Sequence, residues 1–118
     1  MTRKEYLQAC NKCQIDIGKV SEIEKIYKRE IPDTIKQMIS QSEESVFFDD
    51  DWRTLSLSEI AEADTDLHTA FVEKGMIPVI DCSENDFIVY HFADAIWSKY
   101  NIIEECTFKK KSSLEELL

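Results

Sequence analysis

The hydrophobic period of this chain changes near residue 45, and that change restricts the folds open to it. Up to residue 42, apolar side chains recur at the spacing of an amphipathic helix. From residue 45 to 108 they gather instead into short β-rich runs bounded by polar turns. A helix-start signature returns at residue 113. Helices at the front and end, with strands grouped between them, describe an α+β fold: a twisted, mostly antiparallel sheet with helices packed on it. A length of 118 residues suits one domain. The pattern divides it into an N-terminal helical segment (1–42), a sheet region (45–108) and a C-terminal helix (113–118).

Residues 2–17 read as a helix whose stripe is Tyr6, Cys10, Cys13 and Ile17, interrupted at Gly18. Ser21 and Glu24 form an S-x-x-E capping box, which predicts a second helix from Ser21 with Val20, Ile23, Ile26 and Tyr27 inward. Pro32 fits the first turn of a third helix that buries Ile35, Met38 and Ile39. Ser45–Phe48 and Trp52–Leu55 read as short strands across an Asp49–Asp51 turn. Ser56 and Glu59 form another capping box, opening a short helix through Ile60 and Ala63. Asp64 caps a helix with Leu67, Phe71 and Val72 in its stripe, ended by Gly75. Met76–Cys82 and Phe87–Phe92 form a hairpin around Ser83–Asp86, with Pro78 pointing to an edge or a bulge. Ala95–Tyr100 and Ile102–Phe108 complete the strands, and Ser113 with Glu116 caps the terminal helix.

Charge is distributed as unevenly as hydrophobicity. The formal net charge is −10, and residues 43–86 hold thirteen acids against Arg53 and Lys74. An acidic chain lacks the basic footprint that a nucleic-acid backbone or an anionic membrane surface requires. It permits a basic protein partner, a cation, or no charged partner at all. The candidate partner-binding residues are therefore Glu43, Glu44, Asp49, Asp50, Asp51, Trp52, Asp81, Glu84 and Asp86. Trp52 has two readings, a core side chain beside a hydrated turn or an interface anchor ringed by acids. No apolar run approaches a membrane span, and no apolar h-region follows Arg3 and Lys4, so a cytoplasmic location is expected.

Chemistry-bearing patterns are sparse. Cys10 and Cys13 have C-x-x-C spacing, but Cys82 and Cys106 form no second pair for zinc, and a shared helical stripe favours core packing. His68, on the Leu67–Phe71 helix, and His91, between Tyr90 and Phe92 on a strand, have no partner motif. Asp49–Asp51 lacks the alternate spacing, glycine and terminal glutamate of a calcium loop. The expectation is no catalytic residue, no metal and no cofactor. A small metal-assisted hydrolase using the carboxylates near Asp49–Asp51 stands as the alternative.

The order of motifs resembles the SUKH superfamily of fungal cell-wall assembly regulators and bacterial immunity proteins. Ile31-Pro32-Asp33-Thr34-Ile35 through Met38-Ile39 looks like its third helix, and Leu55–Ile60 is similar to its leucine-rich helix. Met76-Ile77-Pro78-Val79-Ile80, Phe87–Phe92 and Ser113–Leu118 resemble its later strands and closing helix, so the likeness covers roughly residues 20–118. The family's Asn-Gly-Gly and Gly-Gly-Asp are replaced here by Gln41-Ser42-Glu43 and Ser83-Glu84-Asn85-Asp86. The resemblance implies a non-catalytic protein-binding domain. Its bacterial branch implies binding and neutralising a toxin, often a nuclease, whose basic cleft an acidic inhibitor would fit. Its fungal branch implies a signalling scaffold.

Overall fold

A computed structural model describes residues 1–118. Three helices come first: α1 (Arg3–Cys10), α2 (Ile17–Tyr27) and α3 (Asp33–Gln41). The two-residue strand β1 (Arg53–Thr54) follows, then the short helices α4 (Leu57–Ala61), α5 (Ala63–Asp66) and α6 (Phe71–Lys74). Four six-residue strands complete the sheet: β2 (Met76–Asp81), β3 (Asp86–His91), β4 (Ile96–Asn101) and β5 (Cys106–Lys111). A 3₁₀ turn, Leu114–Leu117, closes the chain. Strand order is β1-β2-β3-β4-β5, and every pairing is antiparallel. The α+β reading holds.

Several boundaries move, each for a local reason. The first helix stops at Cys10, so only Tyr6 and Cys10 of its expected stripe are buried, and Ile17 is 77% exposed. The second helix starts at Ile17, not Ser21. The Asp16 carboxylate accepts the N–H groups of Gly18 and Lys19, and so caps the helix one turn earlier than the Ser21 signature predicts. Its inward residues Val20, Ile23 and Tyr27 are as expected. The Leu67–Phe71 helix does not exist as one element: α5 and α6 are separate, and His68 lies between them, exposed, at φ 50°. Asp64 does cap, but at a distance, its carboxylate accepting the Phe71 N–H at 2.7 Å. Gly75 ends α6 at φ 71°, a left-handed position that glycine takes without strain.

The strands depart less. Ser45–Phe48 is no full strand; Phe47 makes an isolated bridge to Arg53. The Phe48 N–H nevertheless bonds the Trp52 carbonyl and the Thr54 N–H the Val46 carbonyl, so the hairpin across Asp49–Asp51 is real. Pro78 sits at a bulge, where the β2–β3 register shifts between Pro78 and Ile80. The last strand begins at Cys106, not Ile102, because Asn101 accepts the N–H groups of Ile103 and Glu104 and turns the chain there. The terminal helix is one 3₁₀ turn, and its Ser113–Glu116 box is present.

One cluster of 26 buried apolar residues runs from Tyr6 to Leu117. Strand alternation puts Phe87 and Val89 on one sheet face and Ile88 and Tyr90 on the other. Phe87, Val89 and Ile88 are all buried, so the sheet centre is covered from both sides. On the Phe87 face, Phe71 of α6 meets Tyr100 edge-on at 6.2 Å. On the other, Tyr90 packs 5.0 Å from Trp97, and the terminal turn lies against β4 and β5. The Tyr27 hydroxyl donates to the Ile60 carbonyl at 2.8 Å, tying α2 to α4.

Candidate protein-binding surface

Strand register gathers most of the acidic candidates at one end of the sheet. Arg53 lies opposite Asp81, and Asp86 opposite Asn101, which pairs in turn with Cys106. The Asp49–Asp51 turn, the Ser83–Asn85 turn and the Ile102–Glu105 turn therefore all emerge at the same end. The Ile102 N–H bonds the Asn85 carbonyl, joining two of these turns directly. Neighbouring strands are about 4.8 Å apart, so this end is roughly 20 Å wide, on the scale of one partner's share of a standard interface.

The carboxylates at this end are not equivalent. Asp49 holds the N-terminal amine at 2.8 Å, and Asp50 pairs with Arg3 at 3.1 Å while accepting the Trp52 N–H. Asp81 lies 3.4 Å from Arg53 and accepts the Ser83 N–H; Asp86 accepts from the Asn101 amide. Asp51 and Glu84 are exposed and make no ion pair. Glu43 and Glu44 stand apart. The Glu43 carbonyl accepts the Leu57 N–H at the start of α4, away from the sheet end, and its carboxylate pairs with Lys19.

Arg53 fixes the hairpin to the fold. Its guanidinium meets Glu59 in a fork, Nη1 to Oε1 at 2.8 Å and Nη2 to Oε2 at 2.9 Å, and also reaches Asp81. Glu59 accepts further from the Ser45 hydroxyl and the Ser56 N–H. Burial would raise the Glu59 pKa. The hydrogen bonds from Arg53, Ser56 and Ser45, with the Arg53 charge, overcome that and hold it at about 2.

Two apolar side chains at this surface escaped the sequence reading. Phe47 is 71% exposed and Ile103 70% exposed. The signal for Phe47 was available: alternation along Val46-Phe47-Phe48 sends one phenylalanine in and its neighbour out, and Phe48 is the buried one. Exposed Glu104 also joins the acidic end, placed there by a turn rather than by the strand expected over Ile102–Phe108.

Trp52 points elsewhere. It is half-buried against the core, with the Arg3 guanidinium 3.9 Å and the Lys99 ammonium 4.4 Å from its ring centre. It is a half-buried residue at the edge of the core, not a fully buried one.

The remaining titratable groups are dispersed. No three His, Cys, Asp or Glu side chains gather as a metal-holding group. Cys10 is buried and its thiol donates to Gln41, whereas Cys13, expected beside it in the core, is only half-buried. Burial pushes the Cys10 thiol up to about 11 and the Cys82 thiol up to about 12. His91 Nε2 lies 2.7 Å from the hydroxyl of fully buried Ser98, and burial lowers its pKa. No helix is long and apolar enough to cross a membrane. No family model matches the chain, and neither a curated protein nor a solved structure matches it.

Proposed function

We propose that this chain is a non-catalytic protein-binding module, an immunity protein that binds a basic bacterial toxin domain through the acidic end of its sheet and so neutralises it. The observation that carries the reading is the combination at that end: Phe47 and Ile103, both largely exposed, among the turns that hold Asp49–Asp51, Asp81–Asp86 and Glu104. Apolar anchors within a polar, charged rim are the usual anatomy of a protein interface, and Phe47 supplies the aromatic one here. A nuclease must attract phosphate, so its cleft is basic and an acidic surface is steered to it. The SUKH resemblance supports the same reading. Ser83, Glu84 and Asn85, where that family carries glycine, all adopt left-handed φ (66°, 54° and 68°), the conformation glycine favours.

The hydrolase alternative has less to stand on. Asp49 and Asp50 are committed to the N-terminal amine and Arg3, and no ligand cluster forms around Asp51. A signalling scaffold would use the same surface, and the partner separates the two: a toxin encoded beside this chain's gene against a regulatory protein. The direct test is titration of that toxin domain with the wild-type chain and with Phe47→Ala. The variant is expected to weaken binding about 30-fold, the effect of losing roughly 2 kcal/mol at a hot spot, without changing the denaturation midpoint. Equal affinity for both proteins would remove Phe47 and the sheet end from the interface.

A further inference from the structure

Trp52 lies in a second surface feature of opposite charge, which adjoins the acidic end through the Arg3–Asp50 pair. An open cleft of about 370 Å³ is lined by Arg3, Trp52, Lys99, Lys109, Lys111 and Glu116, together with the terminal leucines. Four cations thus line one concavity of a chain whose formal charge is −10. Lys99, Lys109 and Lys111 have no carboxylate partner, while Arg3 is shared with Asp50. Glu116 keeps its negative charge on the cleft wall, but it forms no ion pair with any of the four cations, and its Oε2 accepts from the hydroxyls and N–H groups of Ser112 and Ser113.

The backbone sets up this convergence. The β4–β5 register shifts by one residue, with Trp97 opposite Lys111 and Lys99 opposite Phe108. Lys109 lies in the bulge at φ 52°, a left-handed conformation that a lysine adopts only at a cost. Lys111 therefore falls on the Trp97 and Lys99 face of the sheet, the face on which Trp52 meets Lys99. Trp52 braces the cations through its ring, which attracts Arg3 and Lys99 without cancelling their charge.

The geometry points to a binding site for a small phosphate-bearing polyanion with two or more adjacent phosphoryl groups. Unpaired like charges held together in a concavity gain most from a multivalent anion, and Arg with Lys is the usual set for phosphate. The volume falls in the range of small-molecule pockets. A long nucleic acid is disfavoured because it would run out of the cleft into the field of the acidic residues. Free polyphosphate and the polyphosphate of a nucleotide share the required chemistry.

Calorimetric titration of the full chain with inorganic tripolyphosphate, ATP and orthophosphate tests the site. Tripolyphosphate is expected to bind with Kd below about 1 mM and to weaken as salt rises, with orthophosphate much weaker. Lys109→Ala/Lys111→Ala, on the exposed edge strand, should lower tripolyphosphate affinity at least tenfold while leaving the unfolding midpoint in place. Lys110→Ala, an exposed lysine outside the cleft lining, should leave affinity unchanged. Tighter binding of ATP than of tripolyphosphate would assign part of the site to the nucleoside; equal binding would assign it to the phosphates alone. No heat at millimolar tripolyphosphate, or equal losses from Lys110→Ala and the double variant, would overturn the proposal.

Discussion

The ring of Trp52 is half-buried, touches the core and carries two cations, so its removal loses both packing and cation–π attraction. Truncating a fully buried large aromatic costs about 3–5 kcal/mol. At Trp52 roughly half of that area is at stake, so Trp52→Ala is expected to destabilise by about 2 kcal/mol in chemical denaturation. An unchanged midpoint would mean that neither the core contact nor the cations contribute. In the sequence the residue presents two readings because its neighbours are three aspartates. Alternation fixes its direction: Trp52 lies next to Arg53, whose Cα partner is Asp81, and so turns to the sheet face of Lys99. Phe47 was the legible residue and Ile103 the illegible one. The first follows from period-two alternation, whereas the second depends on where the Asn101 carboxamide ends a strand.

At the scale of elements, capping chemistry was readable where a box had no rival. Ser56 with Glu59 and Ser113 with Glu116 both form as their spacing predicts. Ser21 with Glu24 does not start a helix, because Asp16 provides an acceptor earlier and Ser21 lies inside the second turn. The Ser56 cap also holds the candidate surface, since Glu59 carries the fork to Arg53 and, through it, Asp81 and the β1 hairpin. Glu59 is held at about 2 in the fold against an ordinary 4.5, so its contribution is complete above pH 4.5 and is lost as pH falls from there toward 2. Full conversion of that difference gives an upper limit of about 3 kcal/mol. The Glu59 side chain is 35% exposed, and screening reduces the figure to about 1–2 kcal/mol. Denaturation of wild type and Glu59→Gln across pH 2–7 should show the gap between them wide at neutral pH and narrowing below 4.5. A gap constant with pH would place the stabilisation in packing rather than in the ionised fork.

Over the whole molecule, charge is sorted by place as well as by sign. The acidic turns occupy one end of the sheet, and the unpaired lysines of β4 and β5 line a cleft on one of its faces. The excess of acids over residues 43–86 was legible in the sequence, but its placement was not: register brings Glu104 to the acidic end and leaves Glu43 and Glu44 beside α4. Steering by a localised patch differs from attraction by net charge, and the difference is measurable. Asp51→Asn, Glu84→Gln and Glu104→Gln together remove three unpaired carboxylates from the sheet end. Glu22→Gln, Glu44→Gln and Glu115→Gln remove three exposed carboxylates elsewhere and leave the same net charge. Such surface changes move stability by about 0.5 kcal/mol or less each, so both variants should stay folded. Charges interact over only about 8–10 Å at physiological salt, so a bound partner at the sheet end senses the first set far more than the second. At physiological salt the association rate with a basic toxin domain should therefore fall severalfold for the first variant and change little for the second. The difference between them should close as salt rises. Equal slowing of both would mean that total charge, not the end of the sheet, brings the partner in.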